Sequence, residues 1–320
     1  MTRDAGPLGR LWGFAPLLLA LAVLAWAGNS VVGRAMVGTV PPMALSFWRW
    51  LFAFLVITPL AWPKLKADWR ELVRRWPMVL LLGASGVAGM GALVYMGVQS
   101  TTALNSILLQ ASMPPVVLLF GWLLLRDRTS AGQALGVALS LLGVLAIISA
   151  GRPGELLRLR LNPGDVLILT GVLLYSGYSL LLRFRPKVHP LSLLWATFGV
   201  ALVTIAPFYA AELIGGRGFA PGFKAAWGIG FVALFPSVLA YLFYNRGVEL
   251  IGAGRASQFT HLMPMFGALL AVGLLGETVQ LYHAVGLALI AAGIAVSTLA
   301  ARRQVRAAFE ATRPSASIHP

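Results

Sequence analysis

The chain has 320 residues, 58% of them apolar and only 11% charged, where a soluble globular domain carries about 25% charged residues. A water-exposed fold of that composition lacks the polar surface to cover itself, so the exterior has to face lipid. With 25 Lys+Arg against 10 Asp+Glu the net charge is +15, and with no Cys the chain has no disulfide, thiolate metal site or cysteine nucleophile.

The pattern predicts an all-α polytopic membrane protein. About 20 apolar residues cross the hydrocarbon layer, and ten segments qualify: 11–32, 43–62, 76–95, 102–125, 131–149, 165–182, 191–213, 227–248, 256–275 and 281–300. The first follows Arg3, Asp4 and Arg10; it is too long for a signal-peptide core and has no clear cleavage site, so it reads as a span. These runs are continuously apolar rather than alternating, which argues against a transmembrane barrel.

Cationic residues gather on one side: Lys64, Lys66, Arg70, Arg74 and Arg75 in one loop, and Arg302, Arg303, Arg306 and Arg313 in the tail. The positive-inside rule then places both termini in the cytoplasm and explains the basic balance without a nucleic-acid partner. Nothing fits a phosphate-binding Gly-x-x-x-x-Gly-Lys loop, so the chain itself does not hydrolyse ATP, and no ATPase subunit is expected.

The halves echo each other at a separation of about 150 residues. Met113-Pro114 corresponds to Met263-Pro264, Asp127 to Glu277, Gly136 to Gly286 and Gly143 to Gly293; Trp26 to Ser30 lies opposite Tyr175 to Ser179. Each unit holds five spans, an odd number, so the second enters the membrane from the opposite side. Inverted five-helix repeats are a recurring transporter architecture. The expected domains are repeats at 11–149 and 165–300, an external linker at 150–164 and a basic cytoplasmic tail at 301–320.

Several motifs carry a family resemblance: Phe47-Trp48-Arg49 at the start of span 2, the Pro114 and Pro264 helices, and their ends at Leu125-Arg126-Asp127 and Leu275-Gly276-Glu277. The chain resembles the drug/metabolite transporter superfamily, with two EamA-type repeats, and within it bacterial exporters of aromatic amino acids. The resemblance implies ten helices, cytoplasmic termini, an inner-membrane location, a cavity shared by both halves, and spans 5 and 10 as peripheral supports.

Polar side chains at mid-membrane depth are costly unless they face a cavity or each other. Candidates for substrate contact are Trp26, Asn29 and Ser30 in span 1, Tyr95 in span 3, Tyr175 and Tyr178 in span 6, and Tyr244 in span 8. Gln110, Ser257 and His261 stand just before the prolines of spans 4 and 9. For span 1 the competing reading is helix–helix glue. His261 is either a proton carrier or a neutral partner of Ser257 one turn earlier. Pro114 and Pro264 are expected to kink their helices. Arg49 is assigned a gating or structural role with Glu277 as a possible partner; substrate attraction and snorkelling between Trp48 and Trp50 remain open. No metal, cofactor or enzymatic triad is expected. The function expected is alternating-access export of small metabolites, most of all amino acids including aromatic ones, by a monomer. A nucleotide-sugar, lipid or lipophilic-drug carrier is one alternative, and a structural or regulatory membrane protein another.

Overall fold

The computed structural model describes residues 12–126, 130–152, 154, 161–252 and 256–311; the side chains of residues 257, 258, 302 and 304–311 fall outside that description. Asp127 and Arg255, residues 153 and 155–160 of the expected linker (Arg158 and Arg160 among them), and the tail beyond 311 therefore lie outside the described residues. The described chain is all helical. Ten helices follow in order: α1 Ala15–Ala35, α2 Pro42–Arg74, α3 Trp76–Gly97, α4 Ala103–Leu125, α5 Ala131–Ile148, α6 Pro163–Phe184, α7 Pro190–Ile214, α8 Phe223–Ile251, α9 Phe259–Leu275 and α10 Leu281–Ala311. Nine of them are long and apolar enough to cross a bilayer; α9 is shorter.

Boundaries follow local chemistry. Proline stands in the first turn of α1, α2, α6 and α7, where its missing N–H costs nothing. Ser130 and Gln133 close a capping box on α5, and Thr102 and Asn162 cap α4 and α6. Two expectations change. α2 continues through the basic stretch to Arg74, where a loop was expected from residue 63, and carries Pro59 and Pro63 within it. Its end is tied by Glu71 to Arg74 at 2.5 Å and to Arg75 at 3.6 Å, spacings that favour helix. α10 likewise runs past residue 300 into the basic tail.

The halves meet in reciprocal contacts, which a two-fold relation requires. A Cβ built on Gly136 would fall 2.4 Å from the Gly293 carbonyl oxygen, and one on Gly143 would fall 2.6 Å from that of Gly286. Position i of one repeat thus meets j of the other, and j meets i. Between α3 and α6, a Cβ on Gly97 would fall 2.6 Å from Ile168; between α8 and α1, one on Gly247 would fall 2.5 Å from Leu19. Those two pairs are again repeat-equivalent. α1 packs on α8 and α9 as α6 packs on α3 and α4, while α2 pairs with α7 and α5 with α10. The outer surface is apolar, with Ile214, Val203, Leu274 and Leu124 standing out from the bundle, as lipid contact demands.

The repeat extends to irregular backbone. α3 widens into π-helical turns at Gly83–Gly89 and α8 at Leu234–Leu239. α4 breaks at Ala111–Ser112, where Ser112 N–H bonds the Leu109 carbonyl at 3.1 Å. α9 opens with tight 3-10 turns over Ser257–Leu262. Pro114 and Pro264 therefore do more than kink: each sits in the first turn of a fresh helical segment, Met113–Leu125 and Met263–Leu275.

The α5–α10 contact leaves no room for a side chain, because the opposing atom is backbone. Gly143→Val is expected to cost about 1–3 kcal/mol. Gly230→Ala, whose added Cβ meets nothing within 4 Å, should be neutral or stabilising by about 0.5–1 kcal/mol. Thermal unfolding of the two purified variants in one detergent checks the contrast.

Candidate functional site

Between the halves lies a cavity of about 1000 Å³, bordered by α1, α2, α3, α4, α6, α8, α9 and α10. Aromatic surface comes from Trp26, Trp50, Tyr175 and Tyr241, and polar groups from Asn29, Arg49, Gln110, Ser179, Thr260 and His261. Both broken helices reach it, through Pro114 and Pro264, and both π-helical segments do so through Gly86 and Pro236.

Arg49 is the only Arg, Lys, Asp or Glu among the described lining residues. It is 6% exposed. Its Nε donates to Ser237 Oγ at 2.7 Å, and its Nη1 donates to Asn29 Oδ1 at 3.1 Å and to the Tyr95 hydroxyl at 2.9 Å. The Tyr95 hydroxyl in turn donates to Asn29 Oδ1 at 2.7 Å, and Ser237 donates to the Val232 carbonyl at 2.8 Å. Nε and Nη1 of Arg49, the Tyr95 hydroxyl and the Ser237 hydroxyl are thus each committed as donors. The Trp50 ring lies 4.4 Å from the guanidinium carbon, a cation–π distance. Ser237 belongs to the π-helical turn of α8, so Arg49 joins the first half to the second.

On one wall the Trp26 indole N–H donates to the Pro236 carbonyl at 3.1 Å, and its ring leans on Tyr241 and Tyr244 with centroids 5.9 and 5.3 Å away. Gln110 Nε2 bonds Ser30 Oγ at 3.0 Å and Ser106. Of the expected contact residues, Trp26, Asn29, Tyr175, Gln110 and His261 border the cavity. Ser30, Tyr95, Tyr178 and Tyr244 do not. Ser30 is fully buried against Gln110, Tyr95 is fully buried behind Arg49, and Tyr178 fills the space over Gly86. Ser257's side chain lies outside the described residues, and with it the proposed pairing to His261. Trp50, Ser179 and Thr260 border the cavity without having been singled out.

Neither the Arg49–Glu277 pairing nor snorkelling of Arg49 survives. Glu277 accepts from the N–H groups of Ala103 and Leu104, both at 2.8 Å, so it caps α4 from the opposite repeat. Glu212 does the same for α2, accepting from Ala44 N–H at 2.8 Å and Met43 N–H at 3.4 Å. Asp68 accepts from His189 N–H at 3.0 Å, at the start of α7. Helix starts carry positive partial charge and unpaired donors, and the carboxylates satisfy both. Such acids are needed where they stand and are not available to Arg49.

A second polar cluster escaped the sequence reading. Asp165, 2% exposed, accepts from Thr101 Oγ1 at 2.5 Å and from Asn105 Nδ2 at 3.3 and 3.4 Å. Asn105 Oδ1 lies 2.8 Å from His283 Nε2, while His283 Nδ1 accepts the Gln280 N–H at 2.9 Å. That bond leaves the His283 proton on Nε2, donating to Asn105. The cluster borders a second cavity of about 580 Å³ that also includes Arg34, Arg152 and Tyr282. In sequence Asp165 reads as an ordinary first-turn acid after Asn162-Pro163, so nothing marked it as buried.

The profile of the EamA-like transporter family matches residues 13–149 and 162–299, one copy on each half. The chain belongs to this family. It is 26% identical over 282 residues to the uncharacterized transporter YyaM of Bacillus subtilis, covering 87% of this chain and 91% of that one. It is 25% identical over 302 residues to a probable amino-acid metabolite efflux pump of Salmonella typhimurium, covering 89% and 95%. A solved structure superposes with a TM-score of 0.61 at 21% identity, over 91% of this chain and 98% of the other, which supports the fold. The EamA-like chain is thus a multi-pass inner-membrane transporter of small molecules and not an enzyme. Among its described residues no three His, Asp or Glu gather as a metal site.

Glu277→Ala is expected to cost about 0.5–2 kcal/mol through loss of the α4 cap. In a double-mutant cycle with Arg49→Lys the two effects should add to within about 0.5 kcal/mol, since the residues share no partner. Thermal unfolding of the four proteins in one detergent supplies the cycle; a larger coupling would restore the ion pair.

Proposed function

We propose that the chain exports small amphiphilic metabolites, amino acids and aromatic ones among them, by alternating access with cytoplasmic termini. The observation that carries this reading is the cavity between the halves, where Trp26, Tyr175 and Tyr241 offer ring faces beside the hydrogen-bonding groups of Asn29, Gln110 and Arg49. Mostly apolar lining with a few placed polar groups suits a cargo with an apolar body and a polar head. The similarity to a probable amino-acid metabolite efflux pump supports the same cargo class.

Motion follows from the repeat. Two copies of one unit in opposite orientation adopt two related packings, and exchanging these between halves moves the opening from one side to the other. The helix breaks at Ala111–Ser112 and Ser257–Leu262 are natural pivots, because their bonding pattern is already irregular. Arg49, held by Asn29 and Tyr95 from one half and Ser237 from the other, sits where the two must move past each other.

One observation favours a second reading, a carrier of lipophilic compounds. Met265 and Leu299 border the cavity and are also well exposed, at 49% and 56%, which leaves apolar side chains at the edge of the chamber.

Inside-out vesicles separate the two. Labelled phenylalanine or tryptophan should accumulate in vesicles containing the protein and not in empty ones, while uptake confined to a neutral lipophilic dye would favour the second reading. Gln110→Ala and His261→Ala should each lower amino-acid uptake about threefold to tenfold per inserted molecule, the loss of one hydrogen bond to cargo. Unchanged uptake at equal insertion would remove that residue from the site.

A further inference from the structure

We propose that Arg49 is the anion-binding centre of the cavity, and that the cargo it selects carries a single carboxylate, or an equivalent single negative charge, on an apolar body. This rests on the reading of the cavity as the cargo site and names the feature by which cargo is recognised.

Charge balance comes first. A guanidinium stays protonated in any protein environment. Here it is 6% exposed inside a membrane bundle, and its partners Ser237, Asn29 and Tyr95 are all neutral. No Asp or Glu among the described residues forms an ion pair with it; Glu277, the partner expected from sequence, caps a helix start instead, as Glu212 does. Burying a charge without a counter-ion is costly, and intramembrane charges retained despite that cost mark functional sites.

The count of donors gives the direction. Arginine has five N–H groups in a planar fork. Nε and the two hydrogens of Nη1 are engaged, whereas Nη2 has no partner among the described residues. One edge is therefore pinned by residues of both halves, and Trp50 lies against the guanidinium at 4.4 Å. The remaining donors belong to a side chain that borders the cavity. A carboxylate reaching them would complete the fork and supply the missing charge together.

The same balance sets selectivity. With one cation in the described lining and no carboxylate, a monoanion is neutralised, a doubly charged phosphate is left with excess charge, and an organic cation is repelled. An amino acid remains acceptable: its carboxylate goes to Arg49, and its ammonium group finds the ring faces of Trp26, Tyr175 or Tyr241.

The test uses three probes of one shape, 3-phenylpropionate, its amide, and 3-phenylpropylamine, titrated into the purified full chain in nanodiscs with tryptophan fluorescence as readout. The acid is expected to bind about tenfold or more tighter than the amide or the amine, with the preference lost in Arg49→Gln and reduced in Arg49→Lys. Equal binding of all three, no binding of the acid, or a preference that persists in Arg49→Gln would overturn the proposal. If the glutamine variant does not fold, a diazirine-bearing 3-phenylpropionate cross-linked to the native protein decides. Labelling of cavity residues such as Trp26, Trp50 or Tyr241 supports the site, and labelling elsewhere overturns it. Flux of the same acid into vesicles is measured separately. Arg49-dependent binding without flux would remove the transport reading and leave the site; flux of a metabolite with no dependence on Arg49 would do the reverse.

Discussion

Within hydrocarbon every backbone N–H and C=O has to find a partner inside the protein, and this constraint shapes the whole bundle. It turns the apolar segments into helices, and it confines irregular backbone to places where other protein groups complete the bonding. The π-helical turns of α3 and α8 and the breaks of α4 and α9 all border the central cavity. There the Pro236 carbonyl is met by the Trp26 indole, and the Val232 carbonyl by the Ser237 hydroxyl. Irregularity and cavity are thus one feature, since a chamber with polar walls is where lost helix bonds can be replaced.

Helix ends face the same requirement. Glu212, Glu277 and Asp68 each cap a helix start in the opposite repeat. Acids at these ends tie the halves by charge-assisted bonds. The peripheral pair α5–α10 differs: it is joined by glycine contacts too close for any side chain. Contacts of the first kind are directional and polar, and contacts of the second are close packing of backbone on backbone.

Much of this was legible in the chain itself. The spans were, because lipid demands long apolar runs; the inverted repeat was, because an odd number of spans per unit forces the inversion. Asn29, Gln110 and His261 were visible as polar groups among apolar neighbours, and all three border the cavity. Spacing did not reveal which side of its helix each residue presents to another helix. Ser30, one residue from Asn29, faces Gln110 rather than open space, and Tyr95 lies behind Arg49.

Composition, hydropathy and repeat by themselves determined the class, the number of spans and the two-unit plan, since each depends on residue type counted along one dimension. Tertiary structure alone decided the partners of the charges. Sequence suggested Arg49 as the partner of Glu277 and placed Asp165 at the start of a span; the fold put Glu277 on the start of α4 and Asp165 against Thr101 and Asn105. Electrostatic pairing depends on distances of a few ångströms between segments far apart in the chain, and one-dimensional order carries no such distances.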